Sequence, residues 1–261
     1  MRLNDILKNK VVGNAGWIIG GKVFNKALAF VVGILSARYL GPGNYGLINY
    51  AAAYTAFFAS LCTLGINSVL VKELIDYPEK EGETLGTTLV MRAASSMLSA
   101  VMIICITLFA DRDEPLTILV VALYCGGMIF QVYDAFNYWF QAKLRSKYQA
   151  IAENIAFIVV SAFKILLLVL QKDVRWFAVA GSIDYITAAV ILFAAYKKNG
   201  GPKLSFSWNR GKEILSVSSH FIISGLMVSI YASTDRFMLK QMLSEEVVGY
   251  YSLASSLSVS W

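Results

Sequence analysis

The sequence predicts an all-α polytopic membrane bundle, an N-terminal six-helix lobe followed by the start of a second lobe. Three observations carry that expectation. Of 261 residues, 57% are hydrophobic and 15% charged, against about 45–50% and about 25% in a soluble domain. The apolar residues fall in runs of the ~20 residues that cross a hydrocarbon core. The lysines and arginines gather in alternate loops between those runs. So much apolar surface cannot be hidden in one globular core, which excludes a soluble enzyme. An aromatic content of 13% with few charges excludes a disordered chain.

Taken in order, Met1–Lys10 is short and basic, with no small-residue cleavage site at signal-peptide distance. It reads as an uncleaved start, with Leu3, Ile6 and Leu7 on one side of a short interfacial helix. Spans are expected near Val11–Ala37, Tyr45–Val71, Leu85–Ala110, Pro115–Phe140, Tyr148–Leu170, Val174–Tyr196 and Ile214–Leu239, and an eighth run opens near Val247. They are long and lack the ~10-residue alternation of barrel strands, so helices are expected. Cys62, Cys105 and Cys125 lie inside apolar runs and read as small hydrophobes, not as metal ligands or disulfide partners.

With the N-terminus in the cytoplasm, thirteen loop lysines and arginines fall inside and six outside. The positive-inside rule then predicts a multi-pass protein of the cytoplasmic membrane with a cytoplasmic N-terminus. The net charge of +6 belongs to those loops, and no nucleic-acid partner is expected. The longest connection, Lys197–Lys212, holds Asn199-Gly200-Gly201-Pro202 and divides the chain into residues 1–200, the first lobe, and 201–261, the linker and first helices of the second. A shift of 203 residues lays the first span on the seventh and Gly46 on Gly249. Both copies run in the same direction, which implies a parallel repeat about an axis along the membrane normal. The chain stops early in the second copy and reads as a fragment of a longer protein.

Ionisable groups at bilayer depth are costly and face a cavity or a partner. The first span carries Lys22 and Lys26 with Asn25 beside them, the third Arg92, and the fifth Glu153 and Lys164. The fourth has Gln131, Asp134, Tyr138 and Gln141 at helical spacing, the sixth Asp184, and the seventh His220, Thr234 and Asp235. One polar stripe per helix describes a hydrated central cavity. Lys22, Lys26, Arg92 and Lys164, with Asn25, could hold the phosphate oxygens of an anionic substrate. Asp235, Thr234 and Asp184 are the candidates to couple transport to Na⁺ or H⁺; no other cofactor or metal is expected. The plainer alternative is mutual pairing, Lys164 with Glu153 or Asp184 and Asp235 with Arg236.

The stretch Ala37-Arg38-Tyr39-Leu40-Gly41-Pro42-Gly43-Asn44-Tyr45-Gly46, then Leu64-Gly65-Ile66-Asn67 and Val71-Lys72-Glu73-Leu74, resembles the polysaccharide-biosynthesis flippases of the multidrug/oligosaccharidyl-lipid/polysaccharide superfamily. Thr234-Asp235-Arg236-Phe237-Met238-Leu239 and Val248-Gly249-Tyr250-Tyr251 are similar to the same family. The resemblance implies a flippase, not an enzyme, that moves an undecaprenyl-diphosphate-linked oligosaccharide for O-antigen or a similar surface polysaccharide. It also implies two six-helix lobes rocking around a cationic cavity, in a lipid bilayer and alongside polysaccharide assembly proteins. The alternative within the superfamily is a cation-coupled multidrug antiporter, for which an acid-dominated cavity is expected. A membrane glycosyltransferase or polymerase lacks support, because the outer loops are short and carry no carboxylate pair. A non-transporting scaffold remains the fourth reading.

Overall fold

The computed structural model describes the backbone of residues 3–259 and the side chains of residues 25–258, apart from Ser68 and Leu257. Among the described residues there are only helices and turns. Helix α1, Leu3–Thr63, has 61 residues. At 1.5 Å per residue it would measure about 90 Å if straight, roughly three hydrocarbon thicknesses. It divides at Gly41, where φ 73 and ψ 169 leave the helical region. Glycine takes that conformation without a Cβ penalty, and Pro42 behind it has no N–H to continue the ladder. The Leu40-Gly41-Pro42 turn thus separates the first two spans as the sequence implied.

The second span ends sooner than its apolar run. Leu64 and Gly65 both take positive φ, 52 and 59, and a separate helix α2, Asn67–Asp76, follows. The cause is a neighbour: a Cβ on Gly65 would lie 2.8 Å from the Ile222 backbone nitrogen. After a turn at Pro78–Lys80 comes α3, Glu81–Ala110. The fourth expected span is built in three pieces, α4 (Pro115–Cys125), a 3₁₀ stretch (Gly126–Asp134) and α5 (Ala135–Ala142). Then follow α6 (Lys147–Val169), α7 (Val174–Lys198), α8 (Trp208–Met242) and α9 (Glu245–Val259). Among the described residues, five helical stretches are long and apolar enough to cross a membrane, Pro78–Ala110, Pro115–Ala142, Lys147–Val169, Val174–Lys198 and Trp208–Met242.

The helices are amphipathic inside out. On α3 the buried stripe reads Thr84, Thr88, Arg92, Ser96, Ser99, Ile103 and Thr107, while Met97, Leu98 and Val101 are exposed. Polar groups turned inward and apolar ones outward are what lipid as solvent demands. Two apolar cores take opposite ends of the bundle. One joins Leu47, Tyr50, Tyr54 and Phe58 of α1 to Val120, Val121 and Phe177. The other joins Leu70, Leu74 and Leu85 to Phe136, Trp139, Phe140 and Tyr196.

Helix α8 is stapled to earlier parts of the chain at both ends. Near its start, the buried Arg210 pairs with Glu73 at 2.5 Å and donates from Nε to Thr84 at 3.2 Å. Near its end, Lys240 Nζ pairs with Glu114 at 2.6 Å and Glu245 at 3.3 Å. Helix α9 crosses the second limb of α1 at two glycines. A Cβ on Gly46 would strike the Glu245 carbonyl, and one on Gly249 would strike the Pro42 carbonyl. Under the 203-residue shift Pro42 maps on Glu245 and Gly46 on Gly249, so the two contacts are reciprocal. Reciprocity of this kind marks a local two-fold axis, here between copies of the repeat read in the sequence.

Candidate functional site: two polar chambers

The larger chamber, about 430 Å³, is walled by the 3₁₀ stretch, α5, α6, α7 and Asn25 of α1. Its polar lining is Asn25, Gln131, Asp134, Asn137, Glu153 and Asp184. The 3₁₀ stretch, at three residues per turn, puts Gln131 and Asp134 on one face, and Asn137 follows in the first turn of α5. Gly127 permits the arrangement: a Cβ there would lie 2.9 Å from the Ser182 Oγ and Cα on α7. The chamber is tied together by amides. Asn25 Nδ2 donates to Asn154 Oδ1, Asn137 Nδ2 to Asp134 Oδ1, and Gln149 Nε2 to Glu153 Oε1 at 2.9 Å. Asp134, Glu153 and Asp184 thus line one space, with no lysine or arginine among its described lining residues.

A second chamber of about 230 Å³ adjoins it, with Phe157 common to both walls. Lys164 is the one charged group among its described lining residues, beside Ser36, Asn49, Tyr124 and Ser161. Ser36 Oγ is buried there without a hydrogen-bond partner among the described residues. Asp184 is the opposing charge that Lys164 feels, yet no ion pair within 4 Å joins them. Lys164 instead stands as a cation at the wall of an otherwise uncharged pocket.

The sequence candidates therefore scatter. Lys22 lies outside the described side chains. Lys26 is exposed and lines neither chamber, whereas Asn25 lines the larger one. One residue is ~100° of helix rotation, enough to put Lys26 on another face. Arg92 is 1% exposed and lines neither chamber. Its guanidinium lies 5.7 Å from the Tyr138 ring and has no hydrogen-bond partner among the described residues. Asp184 lines the acidic chamber; Asp235 and Thr234 do not. Asp235 accepts from the Tyr251 hydroxyl and the Arg236 amide, and Thr234 donates to the Ile230 carbonyl at 2.6 Å. The described lobe holds an acidic chamber and a smaller basic one where the sequence suggested a single cationic cavity.

One network was not legible in the sequence. Tyr50 donates to Asp111 at 3.1 Å, and Gln241 Nε2 donates to the other Asp111 oxygen at 3.2 Å. Thr117 Oγ1 lies 2.8 Å from Glu114 and 3.0 Å from Glu245, beside Lys240. Burial pushes the Asp111 carboxyl above its usual range despite the Tyr50 bond. Burial also acts to raise Glu114, but the bonds from Lys240 and Thr117 outweigh it and hold the group below its usual range. The signs are opposite. The Glu114 contribution to stability is complete above the ordinary glutamate range and is lost as pH falls through its lowered value. Ionised Asp111 costs stability above its raised value, and acidification relieves that cost.

A family model described as "Polysaccharide biosynthesis protein" matches residues 11–260. The chain belongs to the polysaccharide biosynthesis protein family. With its five apolar spans it is a multi-pass membrane member of that family. No curated protein gives a significant match. Among solved structures, this family member is similar to the inward-facing conformation of a multidrug resistance MATE family transporter of the MOP superfamily. The TM-score is 0.54 at 18% identity, over 91% of this chain and 58% of the transporter. At that identity the likeness is one of fold. The chain spans somewhat over half the length of that transporter.

Proposed function

We propose that this polypeptide forms the first lobe, and the opening helices of the second, of a transporter that flips a lipid-linked anionic oligosaccharide across the cytoplasmic membrane. The observation that carries the reading is the pair of adjoining chambers, one acidic and one holding Lys164, in a chain of the polysaccharide biosynthesis family. Lys164 grips the diphosphate from the smaller chamber, while the lipid tail stays in the bilayer. Arg92 acts as a fixed counter-charge to Asp134 and lies behind the wall. Asp134, Glu153 and Asp184 take the coupling cation, a proton or Na⁺. The lobes rock about the Gly46–Gly249 crossing to open the cavity to either side, with the N-terminus in the cytoplasm. The chain performs no covalent chemistry on this reading, and polysaccharide assembly proteins receive the product.

A cation-coupled multidrug antiporter is the second reading, favoured by one observation, the three carboxylates of the larger chamber. The two readings separate on Lys164. In proteoliposomes loaded with a fluorescent polyprenyl-diphosphate oligosaccharide, Lys164→Ala should slow flipping about tenfold or more, as loss of a charge-assisted hydrogen bond implies, with unchanged membrane abundance. Full flipping by Lys164→Ala would remove Lys164 from the mechanism. Cation-driven efflux of an organic cation without any flipping would replace the flippase reading with the antiporter.

A further inference from the structure

The joint between α7 and α8 is not a slack linker. Residues 201–207 form no helix and run extended across the first turns of α3. Ser205 N donates to the Gly82 carbonyl at 3.2 Å, Ser207 N to Thr87 Oγ1 at 3.0 Å, and Tyr196 Oη to the Pro202 carbonyl at 2.5 Å. Gly82 and Gly86, one turn apart on α3, cut the groove that receives this backbone. A Cβ on Gly86 would lie 2.7 Å from Ser205 N, and one on Gly82 would strike the Lys203 carbonyl. The segment is a clamped strap, and the clamp fixes which side chains it presents.

The large apolar ones stand at the surface, together with the exposed Lys203 and Ser205. Leu204 is 40% exposed, Phe206 52% and Trp208 65%, at the two-residue period of an extended chain. Exposed lysines flank them: Lys203 precedes the row, and Lys212 Nζ lies 5.8 Å over the Trp208 ring. Arg145 of the neighbouring loop bonds Asn199 at 3.3 Å and adds a further cation beside the strap. The row lies where α7 ends, at Lys198, and where α8 begins, at Trp208. The ends of two spanning helices mark the headgroup level of a bilayer. Tryptophan, phenylalanine and leucine at that level, ringed by lysine, match the boundary between acyl chains and phosphates. The flanking charge selects anionic lipid over a neutral surface.

We infer that the strap is a fixed interfacial anchor. Leu204, Phe206 and Trp208 enter the headgroup–acyl boundary, and Lys203 and Lys212 bind the phosphates of anionic phospholipids. The joint between the lobes is thereby held at one depth in the leaflet. The inference requires only that the chain spans a membrane and does not depend on what it carries.

The test is fluorescence quenching of the whole protein in vesicles of phosphatidylcholine and phosphatidylglycerol, comparing wild type with Trp208→Phe. The difference emission, which reports Trp208, should be quenched by lipids brominated near the headgroup, less by lipids brominated at the chain end, and hardly by aqueous iodide. Brominated phosphatidylglycerol should quench roughly fivefold more effectively than brominated phosphatidylcholine, the preference one lysine near an anionic surface supplies. Lys203→Gln with Lys212→Gln should bring the two lipids level. Quenching by iodide but not by bromolipid would put the strap in water and overturn the inference. Protection from both quenchers would mean that protein covers it, with the same consequence. Equal quenching by the two lipids in the wild type would overturn the anionic selection.

Discussion

Asp184→Asn should cut cation-driven transport by about tenfold or more while leaving the protein as abundant in the membrane as wild type. Asp184 sits midway along α7 and lines the acidic chamber with Asp134 and Glu153. An amide cannot take up a proton there or offer a full charge to Na⁺. Loss of one charge-assisted partner is worth about 1.5–3 kcal/mol, a tenfold effect or more. Folding should not suffer, because a neutral amide is cheaper to hold at bilayer depth than a carboxylate. Glu153→Gln should act in the same direction but less, since Glu153 is exposed and already bonded by Gln149. The measurement is initial transport rate against an imposed ion gradient. An unchanged gradient response in Asp184→Asn would remove the chamber from energy coupling.

Gly249→Val should lower the midpoint of thermal inactivation steeply and abolish transport with it. At this crossing a Cβ would lie 3.0 Å from the Pro42 carbonyl carbon and 3.2 Å from the Gly46 nitrogen. Both obstacles are backbone and cannot swing aside, so the cost falls at or above the ~1–3 kcal/mol of ordinary overpacking. Gly46→Val should behave alike, because its nearest obstacles are the backbone of Glu245 and Gly249. Gly43→Ala supplies the control on the same turn. Its Cβ would have Glu246 Cγ as nearest neighbour, at 3.9 Å, and it should be tolerated. Equal inactivation temperatures for Gly249→Val and Gly43→Ala would show that the two helices do not meet there.

The span pattern was legible because hydropathy is a property of a whole run, and a run survives errors of a few residues. The turn at Gly41 was legible for a local reason, glycine followed by proline. What escaped was set by neighbours distant in the chain. The break after Thr63 depends on the backbone of Phe221 and Ile222 pressing on Gly65. The 3₁₀ stretch depends on Gly127 meeting Ser182, and where the sequence suggested one face through Gln131, Asp134, Tyr138 and Gln141, the chamber takes Gln131 and Asp134 from that stretch and Asn137 from α5. Tyr138 turns to Arg92 instead.

The charges were found but not their grouping. Lys26, Arg92 and Lys164 are all cations in apolar runs, yet they reach three different environments: an exposed face, a closed interior and the smaller chamber. Composition counts basic and acidic groups at depth. Only helix packing sorts them, and here it brings Asp134, Glu153 and Asp184 together and keeps Lys26, Arg92 and Lys164 apart. The network of Asp111, Tyr50 and Gln241 escaped because its members are up to 191 residues apart.

The central claim is that the space beside Asp184 holds water within the bilayer. In a protein with Cys62, Cys105 and Cys125 changed to serine, single cysteines at Ala188 and Val190 test it most directly. Both lie on α7 two residues apart; Ala188 lines the chamber, and Val190 is 63% exposed on the bundle's outer surface. A charged, membrane-impermeant methanethiosulfonate needs a hydrated thiolate, so the thiol at 188 should react about tenfold or more faster than that at 190, which lipid shields. Equal, slow reaction at both positions would mean a dry chamber and would contradict the account.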